Sequence, residues 1–191
     1  MAAKPARLVV IGASAGGVAA LRTLLSSLKS GFAAAIAIVL HTRDSDVSSL
    51  AQLLGRGCPL PVQEAVAGAR LESGTAYLAP GNYHLLIERD GRLALSVDER
   101  VCYVRPSADV LFESAVDAYG AATIGVVLTG TNADGALGLA AIRAAGGLGL
   151  VQDPQDAEEP AMPEAAIRIA GADAVLPLPA LAERLNRECL T

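Results

Sequence analysis

The fold class rests on one stretch of the chain, RLVVIGASAGG at residues 7–17. Its first half is a compact apolar run, which predicts a buried strand over 7–12. A glycine-rich turn follows at once, and apolar residues at helical spacing then predict a helix over 18–28. A buried strand that turns tightly into a helix is the first unit expected of an α/β fold.

The rest of the chain repeats this alternation. Asp-Gly between the apolar runs 84–88 and 92–97 predicts an antiparallel hairpin. We predict one domain over 1–191, an α/β fold with a doubly wound, mostly parallel sheet, an inserted antiparallel hairpin and helices on both faces. The remaining predicted strands are 36–40, 75–79, 124–129, 148–152 and 174–176. The remaining predicted helices are 46–54, 107–119, 135–145, 163–170 and 179–188. Ser45 or Asp46 is the predicted cap of the first of these helices, and Ser107 is the predicted cap of the second.

Composition narrows the function classes. Of the 191 residues 52% are hydrophobic, the net charge is −5 and no basic run occurs, which argues against a nucleic-acid partner. Every apolar run is too short for a bilayer, so we expect no membrane insertion, and the N-terminus lacks the features of a signal peptide. The cysteines (Cys58, Cys102 and Cys189) are odd in number and far apart, which fits free thiols in a cytoplasmic protein. The oligomeric state stays open.

The glycine turn has two interpretations. A dinucleotide-binding loop needs a glycine at the third position of its motif, where Ser14 stands, and an acid after the second strand, where His41 stands. The other interpretation is the Gly-x-Ser-x-Gly nucleophile elbow, formed by Gly12, Ser14 and Gly16. The motif alone does not separate an elbow from an ordinary glycine turn with a capping serine.

Two further residue types favour catalysis. His41 follows the second strand and would share the crevice edge with Ser14, as a base for a serine nucleophile requires. Asp134 follows another buried strand and could orient the imidazole, although an aspartate before a helix is also a common N-cap. Asp153 is the reserve candidate for this role. The other histidine, His84, opens the hairpin, away from the predicted crevice.

Several ordered blocks of the chain resemble the catalytic domain of CheB, the chemotaxis-receptor methylesterase family. The resemblance covers nearly the whole chain and is carried by these blocks: IGASAGG at 11–17, VLH at 39–41, YLAPG at 77–81, RPSADVLF at 105–112, LTG at 128–130 with Asp134-Gly135, MPEAA at 162–166 and VLPL at 175–178.

The resemblance implies hydrolysis of glutamate γ-methyl esters on methyl-accepting chemotaxis receptors, with deamidation of receptor glutamines in some members. It implies Ser14 as nucleophile, His41 as general base and acid, and Asp134 as the orienting acid. It places the Thr131 N–H at the oxyanion hole, and the Ala15 N–H after the nucleophile is a second candidate donor. No cofactor and no metal are expected.

The chain departs from the family pattern around these residues. Ala15 replaces a frequent hydroxylic residue, Thr42 and Thr131 stand where methionine is frequent, and Glu164 stands where arginine is usual. The first strand begins within ten residues, so we expect no receiver domain in this chain. The open alternatives are a serine esterase on another substrate, a weakly catalytic receptor-binding scaffold and, last, a nucleotide-binding domain.

Overall fold

The computed structural model describes residues 4–42 and 46–190. Of the two predicted caps of the second helix, Ser45 lies outside the described residues. Asp46 does cap this helix, because its side chain accepts from the Ser49 N–H at 2.9 Å. The strands are β1 Leu8–Ala13, β2 Ala35–Leu40, β3 Val62–Glu64, β4 Ala76–Leu78, β5 His84–Ile87, β6 Leu93–Ser96, β7 Thr123–Val127, β8 Leu148–Gln152 and β9 Ala174–Leu176. The α-helices are α1 Gly17–Ser26, α2 Val47–Gly55, α3 Ala108–Tyr119, α4 Ala136–Ala144, α5 Ala161–Ala170 and α6 Leu178–Cys189.

Seven strands form one parallel sheet in the order β3-β4-β2-β1-β7-β8-β9. β1 lies in the centre, with β2 on one side and β7 on the other. The chain builds the sheet outward from β1 in both directions, so the strand order reverses there. In open α/β sheets a crevice opens at this reversal, beyond the carboxyl ends of the strands.

The strands are buried on both faces because helices cover each side. In β1, Val9 and Ile11 pack into the core under α1, α2 and α6, whereas Leu8 and Val10 pack into the core on the opposite face, with α3, α4 and α5. This explains why β1 is continuously apolar, as central parallel strands usually are. The predicted doubly wound α/β fold with helices on both faces is confirmed.

The structure adds two details to the predicted topology. The hairpin of β5 and β6 forms a separate two-stranded sheet that packs against α3, where the Ile87 N–H donates to Ser114 Oγ at 3.1 Å. β3 was not predicted, because three partly exposed residues at a sheet edge give no periodic pattern. Within residues 4–42 and 46–190, no helix has the length and apolar character needed to cross a membrane.

Candidate active site

Ser14 lies in the turn that joins β1 to α1. The turn depends on Gly16, whose φ of 76° is left-handed and favours glycine. The Ser14 N–H donates to Thr129 O at 2.9 Å, and the Gly17 N–H donates to Ser14 O at 2.8 Å. These bonds tie the turn to the end of β7 and leave the half-buried Ser14 side chain beyond the carboxyl edge of the sheet.

Two glycines allow neighbouring segments to approach this turn closely. A Cβ on Gly12 would lie 2.7 Å from the Cβ of Ala108 at the start of α3. A Cβ on Gly130 would overlap Met162 and lie 2.8 Å from the Cβ of Ser14. Gly12 therefore allows the start of α3 to pack closely against β1, and Gly130 leaves space for the Ser14 side chain.

His41 follows β2, and its backbone N–H donates to Ala13 O at 2.9 Å. Its ring Nε2 lies 2.8 Å from Asp134 Oδ2, and its Nδ1 lies 3.3 Å from Asn132 Nδ2. A carboxylate can only accept, so Nε2 carries the proton and Nδ1 is the acceptor in the neutral ring. The nitrogen that carries the lone pair is thus turned away from Asp134 and accepts from Asn132 Nδ2.

Asp134 is fully buried at the N-terminus of α3. Its Oδ1 accepts from Ser107 Oγ at 2.6 Å and from the Asp109 N–H at 3.1 Å. Its Oδ2 accepts from the Ala108 N–H at 2.6 Å and from His41 Nε2 at 2.8 Å. Burial by itself would raise the pKa of Asp134, but these hydrogen bonds outweigh it and hold the pKa below its ordinary value.

The other interpretation of Asp134, an N-cap of the helix that follows it, does not match its contacts. Gly135 is the N-cap of α4, in left-handed conformation, and no side chain caps that helix. Asp134 instead binds the first N–H groups of α3, where the helix dipole favours a negative charge. Ser107, predicted as the cap of this helix, does accept from the Val110 N–H, at 3.4 Å.

Ser14 and His41 line the same cleft, which has a volume of about 700 Å³. The Ser14 hydroxyl has no hydrogen-bond partner in the part of the chain that the structure describes. Catalytic hydrogen bonds are often loose in unliganded enzymes. The Ala15 and Thr131 N–H groups, at exposed residues beside the cleft, likewise find no acceptor among residues 4–42 and 46–190.

The reserve acid and the second histidine lie elsewhere. Asp153 follows β8, and its Oδ1 accepts from the Gln155 N–H at 2.9 Å. His84 is 1% exposed, its Nε2 lies 2.9 Å from Glu99 O, and its Nδ1 accepts from the Ser107 N–H at 3.2 Å. His84 therefore supports the N-terminus of α3, which in turn binds Asp134.

Sequence reasoning did not find two neighbours of the His41–Asp134 pair. Asn132 bridges it, because its amide contacts His41 and its Oδ1 accepts from the Asp134 N–H at 3.1 Å; the short spacing Asn-x-Asp is the local signal. Asp109, the second of these residues, lies in the first turn of α3. Its carboxylate is buried and accepts from the Gly138 N–H at 2.7 Å, and burial raises its pKa to about 6.

One group of side chains has the composition of a metal site. The thiol of Cys102 and the carboxylates of Asp109 and Asp134 have ligand atoms within 4.8 Å of one another. Each Asp134 oxygen already accepts two hydrogen bonds, so a cation would have to displace His41, the Ser107 hydroxyl or an α3 N–H group. The residues therefore fit a metal poorly.

A doubly wound α/β fold with a serine, a histidine and a buried aspartate at one sheet edge has the arrangement of a serine hydrolase. A family model described as CheB methylesterase matches residues 9–185. The chain belongs to the CheB methylesterase family.

Individual relatives agree with this assignment. A Leptospira interrogans protein, provisionally named a protein-glutamate methylesterase/protein-glutamine glutaminase, is 45% identical over 94% of this chain and 93% of its own length. A Cupriavidus metallidurans protein-glutamate methylesterase/protein-glutamine glutaminase is 43% identical over 96% of this chain but 54% of its own length. The crystal structure of the Thermotoga maritima CheB methylesterase catalytic domain matches with a TM-score of 0.90 and 32% identity, covering 98% of this chain and 99% of that one.

Proposed function

We propose that this chain is a protein-glutamate methylesterase that acts on a methyl-accepting chemotaxis receptor, with Ser14, His41 and Asp134 as its catalytic triad. The observation that carries the proposal is the 2.8 Å contact between His41 and a buried Asp134, beside Ser14 in one cleft. The names of the relatives, which describe methylesterase and glutaminase activities, support the substrate class. Free thiols at all three cysteines are consistent with a cytoplasmic site of action.

The acylation step follows from the ring geometry. Ser14 Oγ attacks the γ-carbonyl carbon of the methylated glutamate while His41 Nδ1 takes the hydroxyl proton. Asp134, bonded to Nε2, holds this tautomer and stabilises the imidazolium that forms. When the tetrahedral intermediate collapses, the C–O bond to the methoxy group breaks, and His41 returns the proton to release methanol.

Hydrolysis of the acyl-enzyme reverses these roles. Water attacks the γ-carbonyl, His41 Nδ1 accepts its proton, and Ser14 leaves with that proton, so glutamate is the product. The Ala15 and Thr131 N–H groups are the proposed donors to the oxyanion in both steps. A receptor glutamine would follow the same path with ammonia, rather than methanol, as the first product.

The test is methanol release from a methylated receptor by the wild type and by Ser14→Ala. We expect Ser14→Ala to lose at least about 10³-fold in kcat, since it removes the nucleophile. It should also lose labelling by a fluorophosphonate. Ser26→Ala is the matched control, because Ser26 lies on α1 and its hydroxyl donates to Thr23 O, at 3.2 Å. Methanol release by Ser14→Ala at the wild-type rate would overturn the proposal, and receptor binding without turnover by the wild type would favour a scaffold.

A further inference from the structure

A tight turn at one wall of the cleft has an unusual backbone. Val101 and Val104 form an isolated antiparallel bridge, with the Val104 N–H donating to Val101 O at 2.9 Å. The two residues between them, Cys102 and Tyr103, have φ of 50° and 64°. A two-residue turn with both central residues left-handed normally takes asparagine, aspartate or glycine. Residues 100–105, called the 100–105 turn below, keep this conformation with two bulky side chains.

Contacts with the hairpin and α3 hold the base of this turn. Arg105 Nη1 donates to Val97 O at 2.6 Å and to Asp98 O at 2.8 Å. Glu99 O is bonded to the buried His84, which also accepts from the N–H of Ser107, the N-cap of α3. At the tip, the Tyr103 side chain is 93% exposed. The turn thus presents a large aromatic side chain on a fixed base, which is the form of a recognition element.

The charge of the cleft wall is opposite to that of the whole chain. Among the described residues, the wall includes Arg100 and Arg105 and no carboxylate, whereas the chain as a whole has a net charge of −5. The Arg105 guanidinium already donates to the backbone carbonyls of Val97 and Asp98. Arg100 is exposed and forms no ion pair with any residue in 4–42 or 46–190.

The two acids before Arg100 do not cancel its charge within the cleft. Asp98 and Glu99 are absent from the cleft wall. The Asp98 carboxylate accepts from Ser96 Oγ at 2.5 Å. The wall around Ser14 and His41 therefore carries an unpaired guanidinium next to an exposed aromatic ring. Arginine and tyrosine are the residue types that most often dominate the energetics of protein interfaces.

We infer that the 100–105 turn recognises an acidic segment around the scissile ester, with Arg100 pairing with an unmodified glutamate or aspartate of the substrate and Tyr103 packing on the same segment. This inference rests on the proposed function and specifies its substrate. It means that the enzyme selects methyl esters that have a free carboxylate nearby. Arg100 would thereby read the charge state of the residues that flank the modified glutamate.

The test uses peptides with one glutamate γ-methyl ester, in which each of the four positions on either side is glutamate, glutamine or lysine in turn. We expect kcat/KM for methanol release to be about 3- to 10-fold higher with glutamate at one or more positions. Arg100→Ala should bring the ratio of kcat/KM between the glutamate and glutamine peptides close to one. Arg100→Glu should instead give the highest kcat/KM with the peptide that has lysine at the same position. Higher salt should reduce the wild-type preference. Tyr103→Ala should raise KM for all peptides.

Arg89→Glu is the matched control, because Arg89 lies in the exposed turn at the opposite end of the hairpin, outside the cleft wall. It should keep the wild-type ratio. An Arg100→Ala variant that keeps the full preference would overturn the inference while leaving the proposed function intact. A wild-type enzyme that releases methanol from none of the peptides and from no methylated receptor would overturn the proposed function itself.

Discussion

The histidine–aspartate side of the cleft and the serine side differ in how their polar groups are satisfied. Asp134 is buried and accepts four hydrogen bonds, three of them from residues 107–109. On the serine side, the Ser14 hydroxyl has no partner among the residues that the structure describes, and the Arg100 guanidinium at the cleft wall likewise has none. The His41–Asp134 pair is organised before substrate arrives, whereas Ser14 and Arg100 are complementary to groups that only a substrate brings.

This difference matches the physical demands on each side. A buried carboxylate without partners would be costly, so its hydrogen bonds must exist in the resting protein. The Ser14 hydroxyl at the open cleft and the exposed Arg100 guanidinium can be solvated by water, so neither needs a protein partner before substrate binds. Three substitutions test the comparison, ordered here by the loss of turnover expected from each.

Asp134→Asn should have the largest effect. An amide has only one acceptor oxygen, so it cannot accept from α3, Ser107 and His41 together, and it no longer fixes the histidine tautomer. We expect kcat for methanol release to fall by about 10³- to 10⁴-fold. Asp153→Asn is the control, since Asp153 lies after β8 and contacts Gln155. An Asp134→Asn enzyme with more than about a tenth of the wild-type kcat would contradict this role.

Gly130→Ala tests the serine side. The new methyl group would overlap Met162 and press on Ser14, so it should destabilise the fold by about 1–3 kcal/mol and lower kcat by about 10²-fold. Denaturant unfolding and methanol release measure the two effects. Gly55→Ala is the control, because a Cβ there would meet Val62 at an ordinary 3.7 Å. If Gly130→Ala and Gly55→Ala had the same free energy of unfolding and the same kcat, the turn at Ser14 would tolerate the added methyl group, contrary to this prediction.

Asp109→Asn should affect stability more than turnover. Burial raises the pKa of Asp109 to about 6, from an ordinary value of 3.8. Between these values the folded protein keeps a proton that the unfolded chain has lost, so this group costs stability as pH rises from about 4 to 6, by at most about 3 kcal/mol. Asparagine keeps the oxygen that accepts from Gly138 and removes the titration.

The free energy of unfolding of Asp109→Asn, minus that of the wild type, should therefore rise from pH 4 to pH 7 by on the order of 2 kcal/mol. The loss of kcat should stay below about tenfold, because the backbone N–H of residue 109 still reaches Asp134. Urea unfolding across this pH range measures the difference. Asp117→Asn, at an exposed position of α3, is the matched variant. If the difference in the free energy of unfolding did not change with pH, the raised pKa of Asp109 would be contradicted.

Much of the fold was predictable because its signals are local. Continuous apolar runs gave the central strands β1, β2, β7 and β8, and the glycines around Ser14 indicated the turn into α1. β3 escaped prediction because it is short and depends on pairing with β4, whose register joins Val62 to Ala76. A segment that is a strand only because a neighbour pairs with it leaves no pattern of its own.

The sequence by itself determined that Ser14 follows a buried strand in a glycine-rich turn, and that His41 and Asp134 each follow another buried strand. Only the tertiary structure decided what holds Asp134. Its donors lie 25 to 93 residues away along the chain, at His41 and at Ser107, Ala108 and Asp109. The position of Arg100 beside the cleft was decided in the same way. Backbone preferences act between near neighbours and are written in local spacing, whereas the satisfaction of a buried charge depends on which distant segments the packed core brings to it.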